Sequence, residues 1–251
     1  MNGTHRTPDP RAADLVHAGK IRIGLFPPQY SKDAATGELK GVWADIARAL
    51  AARLGIELVL VEHATPFKMV DCLKAGVCDV GFLGFDPSRA ADVEGFSPPF
   101  IEVDYTYLVP ADSSIRSATD ADRPEVRIAV VRGHASTLTL SRMRKLADLI
   151  SVDTPDNAFD LLRTGRVNAW ASIRPVLLDY SVRLPGSRVL EDRYGVNLPA
   201  VVVAKGQAAR LAYISEFIEE AKASGMVQRA IAQSGLRGIQ VAPTGSPDAK
   251  K

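Results

Sequence analysis

Two rhythms of apolar residues alternate along this chain: short β-branched runs, and stretches in which apolar positions recur at helical spacing. Asp9-Pro10 offers an N-cap and a first-turn proline to an opening helix that Gly19 stops. Residues 21–26 read as a strand, Pro27-Pro28-Gln29-Tyr30 as a loop, and residues 33–40, with Gly37, as a polar hairpin-like turn. Between residues 43 and 54, Ile46, Ala49, Leu50 and Leu54 line one helical face, and Gly55 follows as a C-cap. Residues 56–61 form a second strand, 66–75 a helix and 77–83 a third strand. Such β-α-β-α-β alternation predicts a mostly parallel sheet with helices on both faces.

Residues 105–109 are a further strand, and residues 111–124, rich in Ser, Asp and Ala, have the composition of a linker. The alternation then restarts, with strands at 127–131, 151–152 and 167–171. Between them lie a turn into a helix at Gly133-His134-Ala135-Ser136-Thr137, a helix over 154–164 with Thr154 as N-cap and Pro155 behind it, and a helix over 175–184. The run 200–204 matches 105–109 in length and apolarity, and two helices, 208–224 and 226–233, precede a polar tail. Residues up to about Pro8 read as disordered. The pattern predicts an α/β fold of two lobes, each a mostly parallel sheet flanked by helices. Lobe 1 takes residues 1–109 and 205–251, lobe 2 takes 110–204, and the two crossover strands act as hinges; the C-terminal helices pack back on lobe 1.

Composition narrows the function classes. The 251 residues are 46% hydrophobic and 24% charged, with a formal net charge of +2 and basic residues spread along the chain, which argues against nucleic acid as a partner. No apolar run approaches the ~20 residues that span a bilayer. The first eight residues lack the apolar core of a signal peptide, so a leader removed upstream and a cytoplasmic chain both stay open. Cys72 and Cys78 flank a probable helix end at Gly76; an oxidising compartment permits a bridge, and spacing alone leaves bridged and free thiols both open. No His or Cys spacing suggests a metal site, and nothing calls for a cofactor.

The candidate chemistry centres on Gly84-Phe85-Asp86-Pro87-Ser88-Arg89. An Asp-Pro-Ser turn delivers an arginine to the carboxyl end of a core strand, the edge at which open α/β sheets bind ligands. A guanidinium is permanently charged and fork-shaped, suited to gripping a carboxylate. Gly133-His134-Ala135-Ser136-Thr137 ends a strand and opens a helix, where free backbone N–H groups favour an anion; the competing reading is ordinary capping. His134 has the chemistry to titrate near neutrality. Tyr30, Trp43 and Phe85 are candidate aromatic walls, with Tyr30 favoured by its Pro-Pro loop and the other two equally suited to a core.

Several motifs in order and spacing resemble the family 3 extracellular solute-binding proteins, from about Lys20 to Gln233. They are Lys20-Ile21-Arg22-Ile23-Gly24, the proline-aromatic loop ending at Tyr30, Gly41-Val42-Trp43-Ala44-Asp45-Ile46, Leu73-Lys74-Ala75-Gly76-Val77-Cys78-Asp79, and Pro87-Ser88-Arg89 followed by Phe96-Ser97-Pro98-Pro99-Phe100. The resemblance implies a type II periplasmic binding protein-like fold and hinge closure around a small solute. It also implies a periplasmic, monomeric receptor that serves ABC transporter permease subunits, with Arg89 on the ligand's carboxylate. Two features depart from the amino acid binders. Gly84-Phe85-Asp86 replaces a hydroxyl-rich stretch, and Ser172-Ile173-Arg174 stands where such proteins carry an aspartate for the ammonium. An inward Arg174 would repel an ammonium, and an Arg89–Arg174 pair would suit a more negative ligand; Asp86 and Asp192 remain as other ammonium partners. The same fold resembles the cyclohexadienyl dehydratases, for which Asp86 is the nominated acid, and a solute-sensing domain would use the same lobe surfaces. A non-enzymatic receptor for a small carboxylate-bearing solute is the expected function.

Overall fold

A computed structural model describes residues 9–245, so the stretch expected to be disordered before Asp9 lies outside the described residues. The first lobe opens with α1 (Ala13–Ala18), β1 (Lys20–Leu25), a small hairpin of β2 (Ser31–Lys32) and β3 (Leu39–Lys40), and α2 (Val42–Leu54). It continues through β4 (Glu57–Glu62), α3 (Pro66–Lys74) and β5 (Val80–Gly84). The second comprises β6 (Ile101–Val109), β7 (Arg127–Val131), α4 (Ala135–Met143), β8 (Asp148–Val152), α5 (Pro155–Arg163), β9 (Ala169–Ile173), α6 (Arg174–Ser181), β10 (Arg188–Val189) and β11 (Gly195–Asn197). The chain ends on β12 (Pro199–Val202), α7 (Ala208–Ala223), α8 (Met226–Ser234) and β13 (Ile239–Val241).

The first sheet runs β12-β5-β1-β4, with β1 parallel to both β4 and β5 and β12 antiparallel to β5. Alternation along the strands explains the two layers that cover it. Ile21, Ile23 and Leu25 share one buried face with Ile46 and Leu50 of α2 and with Ile214 and Phe217 of α7. Leu83 turns to the other face and joins Met69, Cys72 and Leu73 of α3. Glycine is required on that face: a methyl on Gly24 would lie 2.8 Å from Met69 Cγ, so α3 sits closer than a side chain there would permit.

The second sheet runs β10-β6-β9-β7-β8. Its β9-β7-β8 part is parallel as expected, while β6 pairs antiparallel with β9, β10, β11 and β13. Trp170, fully buried in β9, packs with Phe159 and Leu162 of α5 and Leu177 of α6. Strand β6 passes from one core to the other: Ile101 and Val103 belong to the first lobe's core, Tyr105 and Tyr107 to the second's. The return is short, because Asn197 ends β11 in the second sheet and Pro199 begins β12 in the first.

Several boundaries move for physical reasons. The third strand starts at Val80, not residue 77, because Val77 and Cys78 turn back with their N–H groups on the Cys72 carbonyl and Asp79 is held by Arg22. Residues 111–124 are no free linker, since Ile115 and Ala121 are buried in the second core. The 200–204 run does not fall to lobe 2: β12 hydrogen-bonds to β5 and so lies in the first sheet. The polar tail supplies β13, which pairs with Ile101–Val103 of β6. Cys72 and Cys78 are bridged, joining the end of α3 to the approach of β5. The C-terminal helices do pack on lobe 1, with Val227 and Ile231 of α8 in its core.

The Phe96-Ser97 motif has a structural task. Ser97, fully buried, donates its N–H to the Val201 carbonyl and accepts the Val201 N–H on Oγ, both at 2.9 Å, so it fastens β12. Ser97→Ala leaves that buried N–H without its hydroxyl acceptor and is expected to destabilise the fold by about 1–3 kcal/mol, measured by urea denaturation; an unchanged midpoint would contradict this role.

Candidate ligand-binding site

At the end of β5 the chain reverses through Asp86, whose carboxylate accepts from the Ser88 N–H (3.0 Å) and hydroxyl (2.6 Å). Pro87 fits the first position of the short 3-10 turn Pro87–Arg89. Arg89 is thereby folded back over its own strand. Its Nη1 donates to the Gly84 carbonyl at 2.8 Å and its Nη2 to the Gly133 carbonyl, past the end of β7, at 2.6 Å. The residue is only 8% exposed. No carboxylate among the described residues forms an ion pair with it, and burial draws its guanidinium below the ordinary value, although arginine stays charged in proteins.

Gly84 belongs to the first lobe and Gly133 to the second, so Arg89 spans the cleft. Further contacts cross it, two of them beside Arg89. Arg142 of α4 forms a two-pronged ion pair with Asp86, at 2.6 Å and 3.2 Å. Burial alone would push the fully buried Asp86 carboxyl up, but Arg142 and Ser88 hold it below the usual carboxylate range. At Gly84 the lobes come so close that a methyl would overlap Asn197 Oδ1 and approach the Ala135 methyl to 2.9 Å.

Between these contacts lies a cavity of about 50 Å³. Phe26, Gln29 and Trp43 wall it from the first lobe, and His134, Ala135, Ser136 and Ile173 from the second. Arg89 is its one charged lining residue, and no lining residue among those described carries a carboxylate. The N-terminal end of α4 also faces it, which adds the partial positive charge of a helix start. Burial, and secondarily the Arg89 charge, lower His134 to about 4, so it is neutral at physiological pH and does not titrate near neutrality. Burial raises the Tyr105 phenol far above its ordinary value, and its hydroxyl donates to Asn197 Oδ1 at 2.9 Å. The indole N–H of Trp43 is buried without a hydrogen-bond partner.

Of the residues nominated from sequence, Gly84, Arg89, Trp43, His134, Ala135 and Ser136 meet at this cavity. The others lie elsewhere. Tyr30 points to Glu62, donating to its Oε2 at 2.8 Å. Phe85 packs edge-on against Phe96, 5.2 Å between centroids. Asp86 is engaged by Arg142 and Ser88, and Thr137 donates to the Val131 carbonyl. Arg174 turns away: it pairs with Asp104 and donates to the carbonyls of Leu190 and Glu191, so no Arg89–Arg174 pair forms across the cleft. Ser172 is buried opposite Thr106, whose hydroxyl also bonds the Leu190 carbonyl. Asp192 is no cavity residue either; its carboxylate accepts from the Ala118 N–H.

Sequence reasoning missed several lining residues, among them Phe26, Gln29, Ile173, Tyr105 and Asn197. In β9 side chains alternate, and Ile173 pairs with Tyr105 on the cleft side while Ser172 pairs with Thr106 on the other. A strand reaching residue 173 would have given that parity. Asn197 carried a weaker signal, a polar residue directly before the apolar return strand. His63 Nε2 lies 3.4 Å from Cys78 Sγ, beside Cys72, but both sulfurs are spent in the disulfide and offer no thiolate to a metal.

Two α/β lobes tied by crossover strands, with a cavity at the strand ends between them, define a two-lobed binding protein. The model of the bacterial extracellular solute-binding proteins, family 3, matches residues 21–234, and the chain belongs to that family. The fold is similar to the solute receptor for L-cysteine of Neisseria gonorrhoeae, with a TM-score of 0.77, 24% identity and coverage of 89% of this chain and 92% of that one. An ancestral arginine-binding protein bound to glutamine aligns with a TM-score of 0.72 at 26% identity, over 86% of this chain and 97% of that one. Among curated proteins, the virulence sensor protein BvgS of Bordetella bronchiseptica is 22% identical over 199 residues, 77% of this chain. The chain spans only 16% of that relative's length. No helix among the described residues is long and apolar enough to cross a membrane.

Two outcomes are expected. Gly84→Ala obstructs the approach of Asn197 and Ala135, so small-angle scattering of the variant should report a larger radius of gyration than the parent at similar melting temperature; equal radii would contradict tight closure. For His134 the folded value is depressed from 6.5 to about 4. The unfolded chain therefore binds a proton that the folded one does not between those values, and stability falls as pH drops through that window. Denaturant titrations should show a shallower loss of stability from pH 7 to 4.5 in His134→Gln than in the parent.

Proposed function

We propose that the protein captures a small carboxylate-bearing solute between its lobes and presents the closed form to a membrane partner, as a receptor outside the cytoplasmic membrane. The observation that carries this reading is Arg89: a nearly buried guanidinium at the cavity, hydrogen-bonded to carbonyls of both lobes and without an ion-pair partner among the described residues. A buried charge is costly unless an opposite charge joins it. A carboxylate that docks beside it gains more in the closed form than in the open one, and that difference drives closure. The lobe limits consistent with this mechanism set the crossover within Ile101–Val109 and the return at Leu198, and each monomer carries a whole site.

Delivery to an ABC importer is favoured by the family and by similar structures described as transporter substrate-binding proteins bound to L-arginine. The match to a virulence sensor protein favours a second reading, a solute-sensing domain that signals through an attached or separate partner. Recovery of importer permease subunits, or of a sensor kinase, in crosslinking from native membranes separates the two. Catalysis of the dehydratase kind has little support. It needs an acid within reach of the leaving group, and Asp86 is bound to Arg142 outside the cavity lining.

A thermal-shift screen of amino acids, dicarboxylates and aromatic acids tests the reading. A ligand at about 100 times its Kd stabilises by ~2.7 kcal/mol, and Arg89→Gln should abolish that shift. A variant that keeps the parent's full affinity would remove Arg89 from the site.

A further inference from the structure

We infer that the solute is a small organic acid anion without an ammonium group, not a free amino acid. This inference rests on the carboxylate-receptor reading above and narrows its ligand class. An α-amino acid brings a carboxylate and an ammonium about one carbon apart. The cavity has a partner for the first and none for the second. Arg89 is the one charged lining residue, and no described lining residue is acidic.

The oxygen acceptors around Arg89 already take hydrogen bonds, and what remains to face an ammonium is neutral, the Ser136 hydroxyl and the unprotonated His134 imidazole. The Gly84 and Gly133 carbonyls take the two Nη groups of Arg89. Asn197 Oδ1 accepts from the Tyr105 hydroxyl. Asp86, the acid nearest in sequence to Arg89, is gripped at both oxygens by Arg142 and also serves Ser88. An ammonium enclosed here would sit beside a buried guanidinium, repelled by it and by the positive end of α4, with little water to screen either. The aromatic walls offer only a weak cation–π contact against that cost.

The uncharged donors fit the remaining oxygens of a hydroxy or oxo acid. Trp43 contributes a buried indole N–H with no partner, and Ser136 a buried hydroxyl. Ile173 closes the second-lobe wall with an aliphatic side chain. At ~10–15 Å³ for each water-sized centre, the cavity of about 50 Å³ is on the scale of a two- or three-carbon acid.

Calorimetric titration of the purified chain with matched pairs tests this: glycolate against glycine, and pyruvate and lactate against alanine. At least one acid is expected to bind about tenfold or more tightly than its amino acid partner. Ile173→Asp, checked for folding by circular dichroism, should lower the affinity for that acid and raise the affinity for the amino acid. If an amino acid binds the parent as tightly as its matched acid and Arg89→Gln abolishes that binding, this inference fails while the carboxylate-receptor reading survives. If no carboxylate of either kind binds, or if binding ignores Arg89→Gln, both fail.

Discussion

A single guanidinium, with one nitrogen on the Gly84 carbonyl and another on the Gly133 carbonyl, joins the ends of strands from two separate sheets. Each sheet covers its faces mostly with its own helices, although Ile173 of β9 packs against the cores of both lobes. What the lobes also share is a seam in which the bonds of Arg89 and Arg142 lie beside the ring contact of Phe26 with His134, and strand β6, whose first half lies in one core and second half in the other. Directional bonds and charge act there together with apolar contact. Charge in a dry seam is strong when paired and expensive when it is not. The site and the hinge thus depend on one electrostatic account.

Asp86 illustrates how much that account asks of a few residues. Its carboxylate caps the turn that aims Arg89, and the same oxygens receive Arg142 from the opposite lobe. Opening the cleft would return Arg142, already half exposed, to water at small cost. It would leave Asp86 with its Ser88 bonds and renewed hydration. This pair lies outside the cavity lining and so favours closure whether or not a solute is enclosed, whereas Arg89 favours closure in proportion to what fills the cavity. The total bias toward the closed form is the sum of both, and only the second part discriminates between ligands.

Much of this was legible in the chain. The β-α rhythm marked two lobes, and an arginine on an Asp-Pro-Ser turn after a buried strand marked the site, because strand ends and turn chemistry are local properties. The glycine-led turn before Ser136 was legible for the same reason. What failed to show was parity and long-range pairing. Ser172-Ile173-Arg174 was the right place, but the strand runs two residues further than apolarity suggests, and that sends Ile173 toward the cleft and its neighbours away from it. Tyr30 sits on the expected loop, yet the nearby Glu62 claims its hydroxyl, a contact set by the β1–β4 pairing that no local pattern encodes. The run that becomes β12 was legible as a strand but its pairing with β5 was not, and β13 stayed obscure because only its pairing with β6 defines it.

The expectation of two arginines across the cleft and the observed single one imply anionic ligands of different charge. Two inward guanidinium groups would have demanded a doubly charged solute. With Arg174 turned away onto backbone carbonyls and onto Asp104, which it shares with Arg193, Arg89 is the charged group left at the cavity, and the proposed carboxylate would match it. His134 does not alter that sum, since burial and Arg89 keep it neutral down to about pH 4. For the anion proposed above, neutral hydrogen-bond donors would then discriminate by where it carries oxygen. An ammonium-bearing solute, neutral overall as a zwitterion, would leave the site with the same net charge as before binding. Closure around it would bury an additional cation without an anion to match, and the seam that holds the lobes together is built to avoid that arrangement.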